Sequence, residues 1–467
     1  MDLILQLLLP FFGILLGLLI IHEAAHFFTA KLFGVKVLEA GIGMPPRIWG
    51  FRWRDTDYTL NAIPLGAFVR MKGEEDPNEA TGETALDSLA AQPKWKRTII
   101  IGSGAAINLV AAILLFAISL MVPQQVSAGG AVIGDVLPGS PAEKAGLQEG
   151  DQIYKINGRR AESTQDASYL IHLGQGSMID FTVKRTDART GTEMFTLPVY
   201  ARWDPPAYAD QCGIQQQQGP TGISLATRQG QYYPLTEAER TELFPEAKKA
   251  FTEHKQQVAP GSPASCTNGA AFGFESVSAS ECTDFTPEER AEAEALKREI
   301  APESSAPCYQ FDPPPNFAPF LRTRTEPIWD AVPHGARLSF DSLILMRNLV
   351  WIKIRGFGGV NSSPITGPVG IAQATGEVVE AAGYVQLITL AASLSMSLAV
   401  LNFLPIPAVD GGRLFFILIE FLRRGRRIAP EKEALVHLAG FAALIMLFLV
   451  VTYFDILRIV NGDSLLR

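Results

Sequence analysis

Charged residues are scarce in this sequence. They make up 19% of its 467 residues, against 47% for hydrophobic residues, whereas soluble domains carry about 25% charged residues. The shortage of charge argues against a wholly soluble protein and favours a membrane protein with a soluble part. At roughly 150 residues per domain, the chain is also too long for one ordinary domain.

The sequence also lacks the features of a nucleic-acid-binding protein. Its formal net charge is −8, and it has no stripe of lysine and arginine interleaved with aromatic residues, so we expect no nucleic-acid partner. The N-terminus has neither a positively charged region nor a small-residue cleavage site. We therefore expect the first apolar segment to be a retained anchor and not a removable signal.

Cysteine is nearly absent from the chain. The four cysteines all lie outside the long apolar segments, at Cys212, Cys266, Cys282 and Cys308. None of their spacings is the CxxC of a zinc knuckle. An even number on an exported side predicts one or two disulfides, with free thiols as the alternative to a second bridge and with the pairing left open.

Long apolar runs are what the sequence has in abundance. A membrane span needs about 20 mainly apolar residues, and four segments qualify, at 1–34, 97–123, 383–422 and 437–458. The predicted fold class is therefore a polytopic α-helical membrane protein with about four transmembrane helices. Soluble or interfacial segments are expected between them.

A cluster of ionisable residues interrupts the first apolar segment. His22, Glu23 and His26 lie in the sequence HEAAH, and ionisable groups inside a span normally face a protein interior or a water-filled cavity. Histidines four residues apart project from one face of a helix, which suits two ligands of one zinc ion with a glutamate beside them as base. The alternative is that neighbouring helices simply satisfy three polar groups, which leaves their desolvation without a purpose.

Residues 35–96 predict β-structure next to the membrane. Apolar and aromatic residues alternate among glycines and prolines, and RDTD at 54–57 is a natural turn, so β-hairpins are favoured. Such an apolar hairpin region between two spans is expected to be membrane-reentrant, because backbone at that depth must be paired. A small cytoplasmic sheet is the alternative.

The second span carries small residues and one amide. The stretch GSGAAIN at 102–108 would let another helix approach closely. Asn108 needs a partner in such a setting, and helix packing and a role near the metal site are both open.

Residues 128–228 differ in character from the flanking spans. Strand-like segments alternate with turns, and the order SPAEKAGL, GD, IYKING over 140–158 resembles a PDZ domain. The resemblance implies a β-rich α+β domain that binds extended peptide ends or strands by β-augmentation. His172 on its amphipathic segment is more typical of a core or surface histidine than of a ligand.

Two further segments separate this domain from the third span. Residues 229–317 are rich in Glu, Ala, Ser and Pro, which predicts a solvated insertion with an exposed helix at 286–300. Within 318–382, an amphipathic stretch with basic flanks at 337–355 predicts a helix along the membrane interface. A Gly/Pro-rich hinge follows it.

Lysines and arginines near the span ends predict the orientation. The loop 31–97 contains ten of them and the segment 423–432 contains five, so both are expected on the cytoplasmic side. The PDZ-like domain and the insertion are then extracytoplasmic. Because Lys31 follows His26 closely, the metal site is expected near the cytoplasmic side.

The third metal ligand has to come from another part of the chain, since a catalytic zinc site usually has three protein ligands. Asp410 in NFLPIPAVDGG is the best candidate, because it lies among apolar residues and the glycines after it allow close backbone approach. It also has an alternative role as a helix cap. His437, at the edge of the last span, is the competing ligand.

These motifs together resemble the site-2 protease family. HEAAH in a first span, N-x-x-P-x-x-x-x-D-G-G in a later span and a PDZ domain between them match its bacterial, PDZ-bearing branch of intramembrane zinc proteases. The resemblance covers about 1–228 and 318–460. Two features depart from it: the proline of the family's AGPxxN-like motif is missing before Asn108, and the insertion is not part of the usual pattern.

The resemblance implies an enzyme and its parts. His22, His26 and Asp410 would bind Zn2+, Glu23 would be the catalytic base, and Asn402 would be substrate-binding, holding the substrate backbone. The implied substrates are single-pass membrane proteins, such as anti-sigma factors or remnant signal peptides. They would be cleaved within the lipid of the bacterial cytoplasmic membrane, with the PDZ domain gating access.

Two other classes of function remain to be separated from this one. The first is a membrane-anchored PDZ adaptor with a non-catalytic metal site, which leaves Glu23 without a purpose. The second is a transporter that uses the buried His and Glu as a proton relay, although no inverted repeat of spans is visible.

Overall fold

The structure is a computed structural model, and it describes residues 9–74, 86–127, 130–187, 191–209, 215–227, 232–234, 317–319, 321–355, 367–382 and 385–460. The predicted disulfides and the predicted helix at 286–300 lie outside the described residues. So does nearly all of the predicted insertion. The described chain forms two compact units, one from residues before 124, 325–343 and after 362, the other from 124–324 and 344–362.

The helices and strands are numbered along the chain. Helices α1 to α9 span Leu9–Leu32, Lys94–Met121, Pro141–Ala145, Thr164–Leu173, Ile328–Arg355, Pro368–Ala382, Gln386–Phe403, Asp410–Leu422 and Pro430–Val460. Strands β1 to β14 span Val37–Trp53, Thr56–Met71, Gln124–Ser127, Ala131–Val136, Gln152–Ile156, Arg159–Arg160, Met178–Asp187, Gly191–Tyr200, Ala207–Ala209, Gln215–Gln217, Ile223–Thr227, Tyr232–Pro234, Phe317–Pro319 and Leu321–Arg324.

Among the described residues, four helices are long and apolar enough to cross a membrane, at Pro10–Leu32, Lys94–Met121, Gln386–Phe403 and Glu431–Leu457. This confirms the predicted number of spans. The predicted third span over 383–422 is two helices, α7 and α8, separated by a loop at 404–409. Pro405 and Pro407 lie in that loop, and a proline cannot continue an α-helix without the loss of a hydrogen bond.

The first two strands form a sheet with more paired segments than a simple hairpin. Glu39 of β1 pairs with both Arg70 and Asp57 of β2, while residues 47–53 pair with 56–61. The long strands therefore bend into four antiparallel segments in the order 67–71, 37–42, 56–61, 47–53. The segments 67–71 and 47–53 are the edges of this sheet.

Helix α2 is central to the first unit. It packs against α1, α7 and α8, and its buried residues include several small ones, such as Gly104, Ala105 and Ala112. Ile100 and Ile101 at its start join a buried apolar cluster with Ala30 of α1 and Ile417 of α8. Because a helix rich in small residues lets neighbours approach closely, α2 holds α1 and α8 near each other.

Helix α5 begins nine residues before the predicted start at 337, at Ile328. Pro333 and Gly335 both lie inside the helix, upstream of the predicted start. A Cβ at Gly335 would lie 2.6 Å from the carbonyl oxygen of Ile113 and 2.7 Å from the amide nitrogen of Ala117. The glycine is therefore required by close packing on the backbone of α2.

The second unit is built on a six-stranded antiparallel sheet. Its order is β11-β4-β5-β7-β8, with β6 paired to β5, and its core includes Ile133, Ile153 and Phe181. The hydroxyls of Ser140 and Ser163 accept the N–H groups that begin α3 and α4, as N-caps do. The order of strands and short helices is that expected of the predicted domain, whose assignment as a PDZ domain stays a prediction.

The C-terminal end of α4 is closed by a side chain from α5. Asn348 is buried, and its Nδ2 donates to the carbonyl oxygen of His172 at 2.9 Å, which satisfies one of the carbonyls left open at a helix end. Desolvation by neighbouring groups lowers the pKa of His172. The residue is nevertheless exposed at the end of α4 and is not one of the converging donor residues in the described chain, so it is a surface histidine, one of the two roles predicted for it.

Candidate metal centre

Three donor atoms from two distant parts of the chain converge in the first unit. His22 Nε2 and His26 Nε2 are 3.2 Å apart, and Oδ2 of Asp410 lies 3.1 Å from the first and 3.2 Å from the second. His22 and His26 are buried and Asp410 is partly buried. The structure thus brings together the three residues for which the sequence predicts a metal.

The two histidines converge because they lie one turn apart on α1. His22 is 6% exposed and His26 is 5% exposed, whereas Ile21 and Phe28 on other faces of the same helix are 42% and 68% exposed. An apolar helix that turns its two histidines inward and its isoleucine and phenylalanine outward is suited to a lipid surrounding. The inward face is the one that meets α2.

Asp410 reaches the histidines from the first residue of α8. The loop before it folds back on this helix, since a Cβ at Gly411 would overlap the carbonyl of Leu404 and one at Gly412 would lie 3.1 Å from Cα of Pro407. Only glycine allows this approach. The two glycines therefore fix how the loop presents the carboxylate.

The other ring nitrogen of His26 has a partner that sets its tautomer. Nδ1 lies 2.8 Å from the carbonyl oxygen of Ile100, and a carbonyl only accepts, so the proton is on Nδ1. The lone pair of Nε2 is then directed at the centre of the donor triangle. Metal-binding histidines usually donate their second N–H to such an acceptor.

Asn108 plays the same part for His22. Its amide lies 3.3 Å from His22 Nδ1, and its Oδ1 is buried with no partner among the described residues. The oxygen and nitrogen of an amide are assigned and not observed, and exchanging them lets Nδ1–H of His22 donate to Oδ1. That arrangement removes the unpartnered oxygen and frees the lone pair of Nε2, so the open question about Asn108 is answered by a contact with the site.

Gly104 leaves the space that the two imidazoles occupy. A Cβ at this position would lie 2.6 Å from His22 Nε2 and would overlap both rings. The sequence suggested close helix packing as the purpose of the small residues in α2. The structure shows that the groups closest to residue 104 are the two imidazole rings. The small-residue pattern of α2 cannot reveal this, because the rings belong to α1.

The donor set fits a tetrahedral metal ion. Ligands about 2.0–2.1 Å from a zinc ion are about 3.3 Å from one another in a tetrahedron, close to the observed 3.1–3.2 Å. With Nδ1 protonated on both rings, three lone-pair-bearing atoms face each other at these distances. A cation between them converts this repulsion into attraction.

Glu23 and Arg413 line the cavity that opens beside this centre. The cavity has a volume of about 530 Å3 and also contacts His26 and Asp410. Arg413 pairs with Glu74, and Glu39 lies 3.8 Å from Arg70. A cavity lined by paired charges is polar enough to admit water, which hydrolytic chemistry at the centre requires.

Two residues considered in the sequence are not among the converging donors. Asn402 lies half-buried in the last turn of α7 and does not line the cavity, and its side chain makes no hydrogen bond to another residue in the described part of the chain. His437 does not bind in the triangle, because its Nδ1 accepts the backbone N–H of Ala408 at 2.9 Å. The competing assignment of His437 as third ligand is therefore not supported by the geometry.

Comparison with known proteins defines the class. A sequence model of Peptidase family M50 matches residues 10–447, which is most of the chain. The protein therefore belongs to peptidase family M50, the site-2 proteases, and it is a metalloprotease of the site-2 type.

Individual relatives agree with this class. A protein of Thermotoga maritima that is provisionally named a zinc metalloprotease is 29% identical over 97% of this chain and 99% of its own length. A protein of Clostridium perfringens with the same provisional name is 27% identical over 94% of this chain and 96% of its own length. Zinc metalloprotease RasP of Oceanobacillus iheyensis is 23% identical over 96% of this chain and 97% of its own length.

Proposed function

We propose that this protein hydrolyses peptide bonds in the transmembrane segments of single-pass membrane proteins, with zinc held by His22, His26 and Asp410. The observation that carries the proposal is the triangle of donor atoms, 3.1–3.2 Å on each side. It lies beside a polar cavity, next to helices of membrane-spanning length. Zinc is the metal of this enzyme class, and it is the metal after which the relatives are named.

The residues divide the chemistry between them. When bound, zinc lowers the pKa of its water towards about 7 and polarises a carbonyl group. Glu23 adjoins His22 in the chain and lines the same cavity as His26 and Asp410. It takes the proton of the attacking water and delivers it to the leaving amine as the peptide bond breaks.

A transmembrane substrate hides its amide groups in helical hydrogen bonds, so it has to be unwound before attack. The sheet segment 67–71 offers a place for the unwound strand. Phe68, Val69 and Arg70 line the cavity, and among the described residues no strand pairs with the outer edge of this segment. An extended substrate added to that edge would have its backbone groups paired next to Glu23.

Asn402 is proposed to hold the substrate backbone near the metal. Its amide is half-buried at the end of α7 and has no partner in the described chain, so its donors and acceptor are available. We propose three further features. The PDZ-like domain binds the exported part of a substrate and admits those already trimmed, that domain is extracytoplasmic, and the site is near the cytoplasmic face of the bacterial plasma membrane.

The test compares cells that contain the wild-type protein with cells that contain Glu23→Gln. Membrane proteomics should show single-pass fragments accumulating in the variant, because the amide cannot accept the proton. These fragments identify the substrates as anti-sigma-type regulators, remnant signal peptides or another single-pass class. An unchanged set of membrane fragments would contradict the proposal and favour the adaptor with a non-catalytic metal site.

A further inference from the structure

The last helix, α9, is connected to the metal centre through the loop that precedes Asp410. Along its most apolar stretch it buries no residue, so by exposure alone it is a peripheral span. Near its start, however, His437 Nδ1 accepts the backbone N–H of Ala408 at 2.9 Å. Ala408 lies two residues before Asp410, in the loop that delivers the carboxylate to the histidines.

Ala408 has a backbone conformation that has to be held in place. Its φ is +79°, in the left-handed region that residues other than glycine rarely adopt. Such residues persist where surrounding contacts determine the conformation. The hydrogen bond to His437 is such a contact, since it binds the N–H of this very residue.

Gly440 adds a second contact on the same face of α9, three residues after His437. A Cβ there would lie 2.9 Å from the carbonyl oxygen of Pro407 and closer still to its ring. The helix backbone therefore packs directly on the loop. No larger residue at 440 is compatible with the observed position of Pro407.

The imidazole of His437 is itself held on the loop by α8. Its ring lies 5.5 Å from that of Phe416, and its Nε2 is buried without a partner among the described residues. Because Nδ1 accepts, Nε2 carries the proton, and that N–H is left unsatisfied. The side chain thus gives up one hydrogen bond to make the one with Ala408.

We infer that His437 is a positioning residue, which together with Gly440 fixes the 404–409 loop so that Asp410 completes the metal triangle. The inference rests on the proposed function in one respect, that Asp410 binds zinc. The loop is clamped between α8, through Gly411 and Gly412, and α9, through His437 and Gly440. Without the contacts of His437 and Gly440, Ala408 can leave the left-handed region. The Asp410 carboxylate then moves away from the histidines.

The experiment measures zinc affinity of the purified full-length protein by competition with a chelator. His437→Ala and Gly440→Ala are each expected to weaken zinc binding about 10-fold, the lower end of the effect of losing groups that orient ligands. His437→Asn is expected to stay within about 2-fold of wild type, because its Oδ1 takes the place of Nδ1 as acceptor. Gly17→Ala is the matched control, since a Cβ there has no atom within 4 Å.

Each result decides the matter. Zinc affinity of His437→Ala equal to wild type overturns the inference, and so does an equal loss in His437→Ala and His437→Asn, since the hydrogen bond would then not be the cause. Retention of zinc by Asp410→Ala would instead overturn the ligand set of the proposed function. A proteolysis assay run alongside should show the loss mainly in kcat, because the loop delivers a ligand of the metal that acts in the chemical step.

Discussion

Gly104 lies on the face of α2 that meets both imidazoles, and its missing side chain is part of the site. Gly104→Ala places a methyl group where the two imidazole rings lie. We expect its zinc content to fall from about one per chain towards zero, with loss of proteolysis. Gly102→Ala on the same helix is the control, because its Cβ would meet no atom closer than Leu414 at 3.9 Å; full zinc in Gly104→Ala would contradict the geometry.

Asn108 provides a test of the tautomer of His22. If its oxygen accepts the Nδ1 proton, Asn108→Asp keeps the acceptor and retains zinc, whereas Asn108→Ala loses it and weakens zinc binding about 10-fold. If instead its nitrogen donates to His22, Asp fails like Ala. Chelator competition on the two variants and the wild type separates the two orientations.

At the scale of single residues, the sequence predicted the parts of the site that are encoded locally. His22, Glu23 and His26 are four residues apart at most, and Asp410 lies in a motif with its own glycines. Asn108 was left open and Gly104 was assigned to helix packing, because their partners lie on another helix. Such contacts between side chains far apart in the chain leave no local pattern.

Helix α8 is held at the end opposite Asp410 by an ion pair that is largely buried. Arg97 Nη1 of α2 lies 2.8 Å from Oε2 of Glu420, whose side chain is 8% exposed. Arg97→Met leaves this buried carboxylate with only the longer contact to Arg427, whose Nε lies 3.4 Å from Oε1, and is expected to lower the free energy of unfolding by up to about 3 kcal/mol. Chemical unfolding in detergent measures the loss.

The matched controls for this ion pair are a double and a single variant. Arg97→Met with Glu420→Leu should lose less stability than Arg97→Met alone, because no buried charge remains. Arg426→Met, at an exposed arginine in the loop that follows α8, should have little effect. Equal losses in the single and double variants at 97 and 420 would show that the charge of Glu420 is not buried as described.

Elements were predicted where their pattern is periodic and missed where tertiary contacts override it. The four spans follow from apolar length, and the strands of 35–75 from alternation. The second pairing of residues 39–42 does not, since one strand that pairs on both sides looks in sequence like any other. The early start of α5 was missed because Gly335, a breaker in isolation, is demanded by the backbone of α2.

For the molecule as a whole, the PDZ-like domain is predicted to filter substrates and not to take part in catalysis. Its sheet and the metal centre belong to different compact units. Deletion of residues 130–200 should therefore leave zinc content unchanged and raise cleavage of substrates whose exported part is untrimmed. Immunoblots of a trimmed and an untrimmed substrate provide the measurement, and unchanged substrate choice would count against gating.

The central claim is that the triangle of His22, His26 and Asp410 holds zinc for hydrolysis in which Glu23 moves the proton. The most direct measurement is zinc content and cleavage of a single-pass substrate in the same preparation in lipid vesicles. The account predicts that Glu23→Gln keeps its zinc and loses cleavage, while His22→Ala loses both. Cleavage at the wild-type rate by Glu23→Gln, or full zinc in His22→Ala, would contradict it.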